Sequence, residues 1–306
     1  MKAKSKGLIA LITAVVLWVL PPILMRYLSS AFDPYSQNFY RYLSSTVFFV
    51  PWAVWRRRAL FLERRAALKL LAPAAPNVLF QTFMVLALYY IMPMQSTLII
   101  KNSVVFAAFI SYIFIPDERR YIRSWRFLAG AALALFSVAA FIVANPDFHW
   151  VWTNATLIGT AFSLAGAVCW AAYAATVKTY LAGYDSFDAF AGVVLYTTIA
   201  LGVLMLALGR PGDILHAGTA NVAIVVVSGL LCIGLAHTIY YYAVHQLGVT
   251  LCVTLTLLTP FGVGILSWMI FGERLTGAQL FWGAAMIAGA TLTVLSRREA
   301  AEELGD

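Results

Sequence analysis

The sequence predicts an all-α transmembrane protein, with ten helices arranged as two inverted five-helix repeats around a central cavity. Three observations predict it. Of the 306 residues, 62% are hydrophobic and only 11% are charged, with a mean hydropathy of +0.84; a soluble domain carries roughly a quarter charged residues. Apolar runs of about the 20 residues that a bilayer core requires follow one another nearly end to end, leaving no room for a soluble domain. Residues that are rare in this composition recur at fixed offsets between the two halves.

The first run, Gly7 to Tyr27, is longer than a signal-peptide core and is not followed by a small-residue cleavage site, so it is expected to stay in the protein as the first span. The next four are expected near 36–55, 70–92, 95–115 and 124–144. The second half repeats the plan near 156–178, 188–209, 221–244, 249–270 and 277–295. Lys and Arg set the orientation. Sixteen of the 21 fall at one side if the N-terminus is cytoplasmic: Lys2, Lys4, Lys6, Arg56, Arg57, Arg58, Arg64, Arg65, Lys69, Arg119, Arg120, Arg123, Arg126, Lys178, Arg297 and Arg298. Positive segments stay inside. An inner-membrane protein with both termini cytoplasmic is therefore expected, its formal charge of +8 facing anionic lipid headgroups rather than nucleic acid. The three cysteines, Cys169, Cys232 and Cys252, all lie in apolar runs and read as packing residues rather than a disulfide framework.

The repeat divides the chain at about 1–150 and 151–306. Trp18, Arg26 and Asp33 recur as Trp170, Lys178 and Asp185, and Phe106 with Glu118-Arg119 recurs as Phe261 with Glu273-Arg274 at an offset three residues longer. Five spans per repeat is an odd number, so the second copy crosses in the opposite sense. Two similar halves in opposite orientation can exchange conformations around one site, which is the basis of alternating access in transporters.

These features resemble the drug/metabolite transporter superfamily, specifically its EamA-type permeases. The resemblance rests on the five-plus-five plan, on Trp18 and Trp170, and on Thr259-Pro260-Phe261 leading to Phe271-Gly272-Glu273-Arg274, and it covers almost the whole chain. The first repeat departs from the pattern, with Val105 where the second has Pro260 and with Pro21-Pro22 after Trp18-Val19. The resemblance implies ten helices around a cavity and movement of amino acids, other metabolites or drugs, often without ATP.

The residues themselves narrow the chemistry. There is no phosphate-binding Gly-Lys-Ser/Thr loop, no aspartate-rich motif and no His/Cys cluster at metal-ligand spacing, so neither a cofactor nor a metal site is expected and an intramembrane enzyme is disfavoured. Arg41 and Lys101 lie within spans, where a cation facing hydrocarbon costs about 2.5–3.5 kcal/mol. Both are expected to face the interior, at a similar depth of about 9 Å below the outer surface at 1.5 Å per residue. With Asn38 one turn before Arg41 and Asn102 beside Lys101, they predict a site for a substrate carboxylate or phosphate. Trp18 and Trp170 fall near mid-span and are expected to wall the cavity, with Gln81 and His237 as polar lining. A buried His237 bonded to a neighbouring carbonyl is the simpler expectation, and proton coupling through its imidazole the sharper one. Tyr89, Tyr90 and the Tyr240-Tyr241-Tyr242 run are expected at the membrane interface. Pro21, Pro22 and Pro260 are hinge candidates. The expected partners are a small-molecule substrate and membrane lipid, with the chain acting as a monomer or homodimer. The function so predicted is export or exchange of amino acids or similar carboxylated metabolites. Phosphorylated or nucleotide-like substrates are the alternative within transport, and a membrane enzyme or sensor subunit the alternative outside it.

Overall fold

The computed structural model describes residues 2–56, 60–91, 93–144, 151, 153–271 and 276–302, and among these every regular element is a helix. The first apolar run is broken: α1 (Lys2–Leu17) and α2 (Leu20–Leu28) part at Trp18-Val19. Pro21 and Pro22 have no N–H to return to the carbonyls of Leu17 and Trp18. The chain tightens there, with Val19 N–H donating to the Val16 carbonyl at 3.2 Å. Next, α3 (Pro34–Trp55) starts on Asp33, whose carboxylate accepts from the N–H groups of Tyr35 and Ser36. Then come α4 (Arg64–Tyr90), α5 (Pro93–Ile100) and α6 (Ser103–Phe114), the last two separated at Lys101-Asn102. A short α7 (Arg119–Ile122) leads to α8 (Trp125–Val143).

The second half opens with α9 (Asn154–Tyr180) and α10 (Ser186–Leu208). Asp185 caps α10 as Asp33 caps α3, accepting from Phe187 and Asp188. After α11 (Asp213–His216), α12 (Gly218–Ser228) continues through a π-helical stretch, Gly229–Leu235, into α13 (Ala236–Leu247). Gly248, with φ of +85°, makes the left-handed corner that only glycine adopts freely. It leads into α14 (Val249–Leu255), a 3₁₀ turn at Thr256–Leu258, α15 (Thr259–Phe271) and finally α16 (Gly277–Glu302).

Eight described stretches are long and apolar enough to cross a membrane: Ser5–Met25, Arg64–Tyr90, Ser96–Phe114, Trp125–Val143, Asn154–Tyr180, Ser186–Leu208, Gly218–Leu247 and Gly277–Ser296. The sequence predicted ten. The other two expected spans are α3, made too polar by buried Gln37, Asn38 and Arg41, and the stretch from Val249 onward, an apolar helix described as Val249–Val263. Exposed Ile9, Val16, Phe109, Phe136, Val203 and Leu206 clothe the outside of the bundle, as a protein solvated by lipid requires.

The principal packing partners come from opposite halves of the chain: α1 lies on α13, α4 on α9, α3 on α10 and α8 on α16. Small residues permit it. A Cβ at Gly130 of α8 would stand 2.7 Å from the Gly289 carbonyl of α16, and one at Gly159 of α9 would stand 2.7 Å from Ile91. The Gly159, Ser163, Ala167 face of α9 is buried throughout, with Ser163 bonded to Ser96 at 3.0 Å.

Candidate functional site

A cavity of about 120 Å³ opens where the helix breaks meet. Each water needs about 10–15 Å³ on that measure, so there is room for several waters or a small ligand. Trp18, Pro21, Pro22 and Met25 line it from the α1–α2 break, and Ile100, Lys101 and Ser103 from the α5–α6 break. Thr256 and Thr259 flank the α14–α15 break, while α4 supplies Phe80, Gln81, Met84 and Leu88. Arg41, Trp170, Cys232, Ile233 and His237 complete the wall. Lys101 and Thr256 stand 155 residues apart, the same offset that relates Phe106 to Phe261. Interrupted helices at matching positions in two halves are where many membrane proteins built from inverted repeats hold a ligand.

The floor is aromatic. The Trp18 and Trp170 rings meet edge to face at 5.2 Å between centroids, and Tyr240 lies 4.9 Å from the first and 5.4 Å from the second. Phe80 covers Trp170 at 4.9 Å. Trp18 Nε1 donates to the Cys232 carbonyl at 3.0 Å, which fixes its ring.

Above this floor stand two cations. Arg41 is 2% exposed. Its Nε donates to Ser228 Oγ at 2.8 Å, and its Nη1 is buried with no hydrogen-bond partner among the described residues. The α3 backbone can come this close to the π stretch because residue 229 is glycine: a Cβ there would sit 2.2 Å from the Arg41 carbonyl oxygen. Lys101 is 8% exposed, and its side chain makes no hydrogen bond or ion pair to a described residue. Its place just beyond the end of α5 suits a cation, because the last carbonyls of a helix are the negative end of its dipole. Gln81 Oε1 and His237 Nε2 are also buried without partners. His237 Nδ1 lies 3.0 Å from the Ile233 carbonyl. A carbonyl only accepts, so this assigns the ring proton to Nδ1 and leaves Nε2 of the neutral ring as an acceptor.

The structure brings Arg41, Lys101, Trp18, Trp170, Gln81, His237, Pro21 and Pro22 to one cavity, and places three other candidates elsewhere. Asn38 is buried in a side pocket between α3, α4 and α10 with Thr82, Val85 and Leu201. Asn102 closes the last turn of α5, its Nδ2 donating to the Ile99 carbonyl at 3.0 Å. Pro260 is buried in the first turn of α15, beside the break rather than on the lining. Tyr89 and Tyr90 are surface residues as expected, but Tyr240 and Tyr241 are fully buried, because the π stretch turns that face of α13 inward. The backbone at the α5–α6 break was not foreseen, and neither were the contributions of Phe80, Cys232, Thr256 and Thr259. Gly272, Glu273 and Arg274, Arg57 and Arg58, and the Arg26 side chain lie outside the described residues.

The end of the bundle that carries the basic segments is closed below the cavity. Glu118, 2% exposed, accepts from Val249 N–H at 2.6 Å, Thr250 N–H at 3.0 Å and Thr250 Oγ at 2.6 Å. Tyr173 and Tyr241 share a hydroxyl bond of 2.9 Å, and Lys178 Nζ donates to the His245 carbonyl at 2.9 Å. Among the described residues, no three His, Cys, Asp or Glu side chains gather as metal ligands would.

Apolar spans wrapped around a buried, cationic and aromatic cavity define a multi-pass membrane protein. Residues 5–143 and 157–295 each match the EamA-like transporter family, and the chain belongs to it. It is 24% identical over 300 residues to an uncharacterized transporter of Archaeoglobus fulgidus, covering 98% of this chain and all of that one. A solved crystal structure shares the fold with a TM-score of 0.78 at 19% identity, over 96% of this chain and 98% of that one.

Proposed function

We propose that this EamA-family transporter moves small carboxylated metabolites, amino acids or related compounds, across an inner membrane by alternating access, as efflux or exchange. The observation that carries the reading is the pair of buried cations on the cavity wall, Arg41 Nη1 and Lys101, neither partnered by a described residue. A buried guanidinium or ammonium left without an anion is costly. A substrate carboxylate supplies the missing partner, and charged hydrogen bonds of this kind are worth about 1.5–3 kcal/mol each. The apolar part of the substrate lies against Trp18, Trp170 and Phe80.

The two halves, 1–150 and 151–306, act as inverted repeats. The symmetry of their packing supports this, since exchanging the first expected span for the sixth and the third for the eighth carries the α1–α13 contact onto the α4–α9 contact. The cavity lies in the half of the bundle away from the basic end, which is closed by Glu118 and the Tyr173–Tyr241 pair. Movement at the Pro21-Pro22 and Pro260 breaks opens the basic end and closes the other. No nucleotide is consumed; a gradient or the exchanged solute supplies the energy. With the basic segments cytoplasmic, both termini are cytoplasmic as well.

Counterflow in proteoliposomes tests this with neutral, zwitterionic, anionic and cationic metabolites on the wild type, Arg41→Ala and Lys101→Ala. Selective exchange of carboxylated compounds, reduced at least about tenfold in each variant, is the expected result. Exchange of a cationic solute that is indifferent to both substitutions would overturn the reading.

A further inference from the structure

An amino acid carries two charges, and the cavity answers only one of them. Among its described lining residues there is no Asp or Glu. Carboxylates elsewhere are already engaged: Asp33 caps α3, and Glu118 holds the start of α14. Of the lining hydroxyls, Ser96 is bonded to Ser163, Thr256 to the Val253 carbonyl and Thr259 to the Thr256 carbonyl, while Thr97 and Ser103 add only neutral oxygens. The polar atoms left to meet a ligand are therefore the cationic groups of Arg41 and Lys101 and otherwise only neutral ones, among them Gln81 Oε1, His237 Nε2 and the hydroxyls of Thr97 and Ser103. An incoming ammonium would shed its water beside two like charges and find no anion in return. A carboxylate without an ammonium meets a wall that carries two cations and no anion, and much of the rest of that wall is Trp, Phe, Met, Leu, Ile and Pro.

We infer that, among carboxylated compounds, this cavity selects organic acids that carry an apolar, preferably aromatic body and no ammonium group. The inference rests on the carboxylate-transport reading above and narrows it. Arg41 and Lys101 grip the carboxylate, the Trp18–Trp170 floor takes the body, and an α-amino group is discriminated against by charge rather than by size.

The test reads binding rather than flux, because protonated acids cross a bilayer unaided. The full chain in detergent is titrated calorimetrically at pH 7.5 with two matched sets: 3-phenylpropionate, phenylalanine and 2-phenylethylamine, then 4-methylpentanoate, leucine and 3-methylbutylamine. The acid of each set is expected to bind at least about tenfold more tightly than its amino acid, with the amine weakest. Lys101→Gln is expected to bring acid and amino acid within about threefold of each other, whereas Arg41→Lys, which keeps the charge, preserves the preference. A gap below about tenfold in the wild type, or tighter binding of the amino acid, overturns this inference and leaves carboxylate transport standing. A preference unchanged in Lys101→Gln and in Arg41→Gln assigns it to something other than the two cations and overturns it as well. Preferred binding of the amines, or binding of none of the six compounds, overturns the carboxylate reading and this inference together.

Discussion

Replacing Glu118 with Gln should release the start of α14 without changing its shape. One Glu118 oxygen accepts from Val249 N–H; the other accepts from Thr250 N–H and Thr250 Oγ. A carboxamide keeps one acceptor oxygen and turns an NH₂ toward donors at the other. At least one charged hydrogen bond is lost, at about 1.5–3 kcal/mol, together with about 0.5–1 kcal/mol for a negative charge facing a helix start. The closed basic end is therefore weakened by about 2–4 kcal/mol, or roughly 30-fold to several hundred-fold in an opening equilibrium. Cys252 is a native reporter, fully buried two residues beyond Thr250. In a Cys169→Ser, Cys232→Ser background, N-ethylmaleimide should alkylate Cys252 faster by that factor in Glu118→Gln. Cys232, which lines the cavity, should label no faster when it is the remaining cysteine, which separates local release from general loosening. Labelling of Cys252 within about twofold of the parent would refute the reasoning, since a bond worth 1.5 kcal/mol cannot be lost so quietly.

Other expectations follow from single contacts. Gly130→Ala places a methyl 2.7 Å from a backbone oxygen of α16 that cannot turn aside; such overpacking costs about 1–3 kcal/mol, and thermal unfolding in detergent should show it. Trp18→Phe keeps a ring against Trp170 but removes the indole N–H bond to the Cys232 carbonyl, costing about 0.5–1.5 kcal/mol, a lowering of Tm by a few degrees. Burial of Asp33 works to raise its pKa, but the Ser36 hydroxyl and the N–H groups of Arg210, Ser36 and Tyr35 outweigh it and hold the carboxyl below its ordinary 3.8. A depressed pKa stabilises the fold above the unfolded-state value and is lost as pH falls through the folded one. The stability that Asp33 confers should therefore be constant at neutral pH and decline below 3.8, and Asp33→Asn should flatten that decline in acid-unfolding profiles.

What could be read in the sequence was what carries a penalty. Arg41 and Lys101 were found because a charge in hydrocarbon needs a reason, and Trp18 and Trp170 because their repetition at 152 residues is improbable in a chain dominated by Leu, Ala and Val. Both pairs meet at the cavity. Residues whose direction depends on local winding were not legible. Asn38 is one turn from Arg41 yet opens onto a different pocket, and Tyr240, expected at the interface, stacks on Trp170 instead. Breaks next to proline were anticipated at Pro21-Pro22 and Pro260, but Lys101-Asn102 interrupts its helix with no proline at hand, and nothing in the local composition marks it.

The π stretch at Gly229–Leu235 does more than widen a helix. Four of its carbonyls serve side chains: Gly229 takes Ser45, Cys232 takes Trp18, Ile233 takes His237 and Gly234 takes Thr238. A π turn amounts to a residue inserted into an α-helix, and each residue of an α-helix turns the chain by about 100°. Deleting any one residue from this stretch would restore regular winding and rotate His237 and Tyr240 together away from Trp18 and Trp170, while Ser228 stayed with Arg41. The shape of the binding chamber is thus written partly in the length of seven residues, and a relative lacking one of them would present a different wall to its cargo with every other residue unchanged.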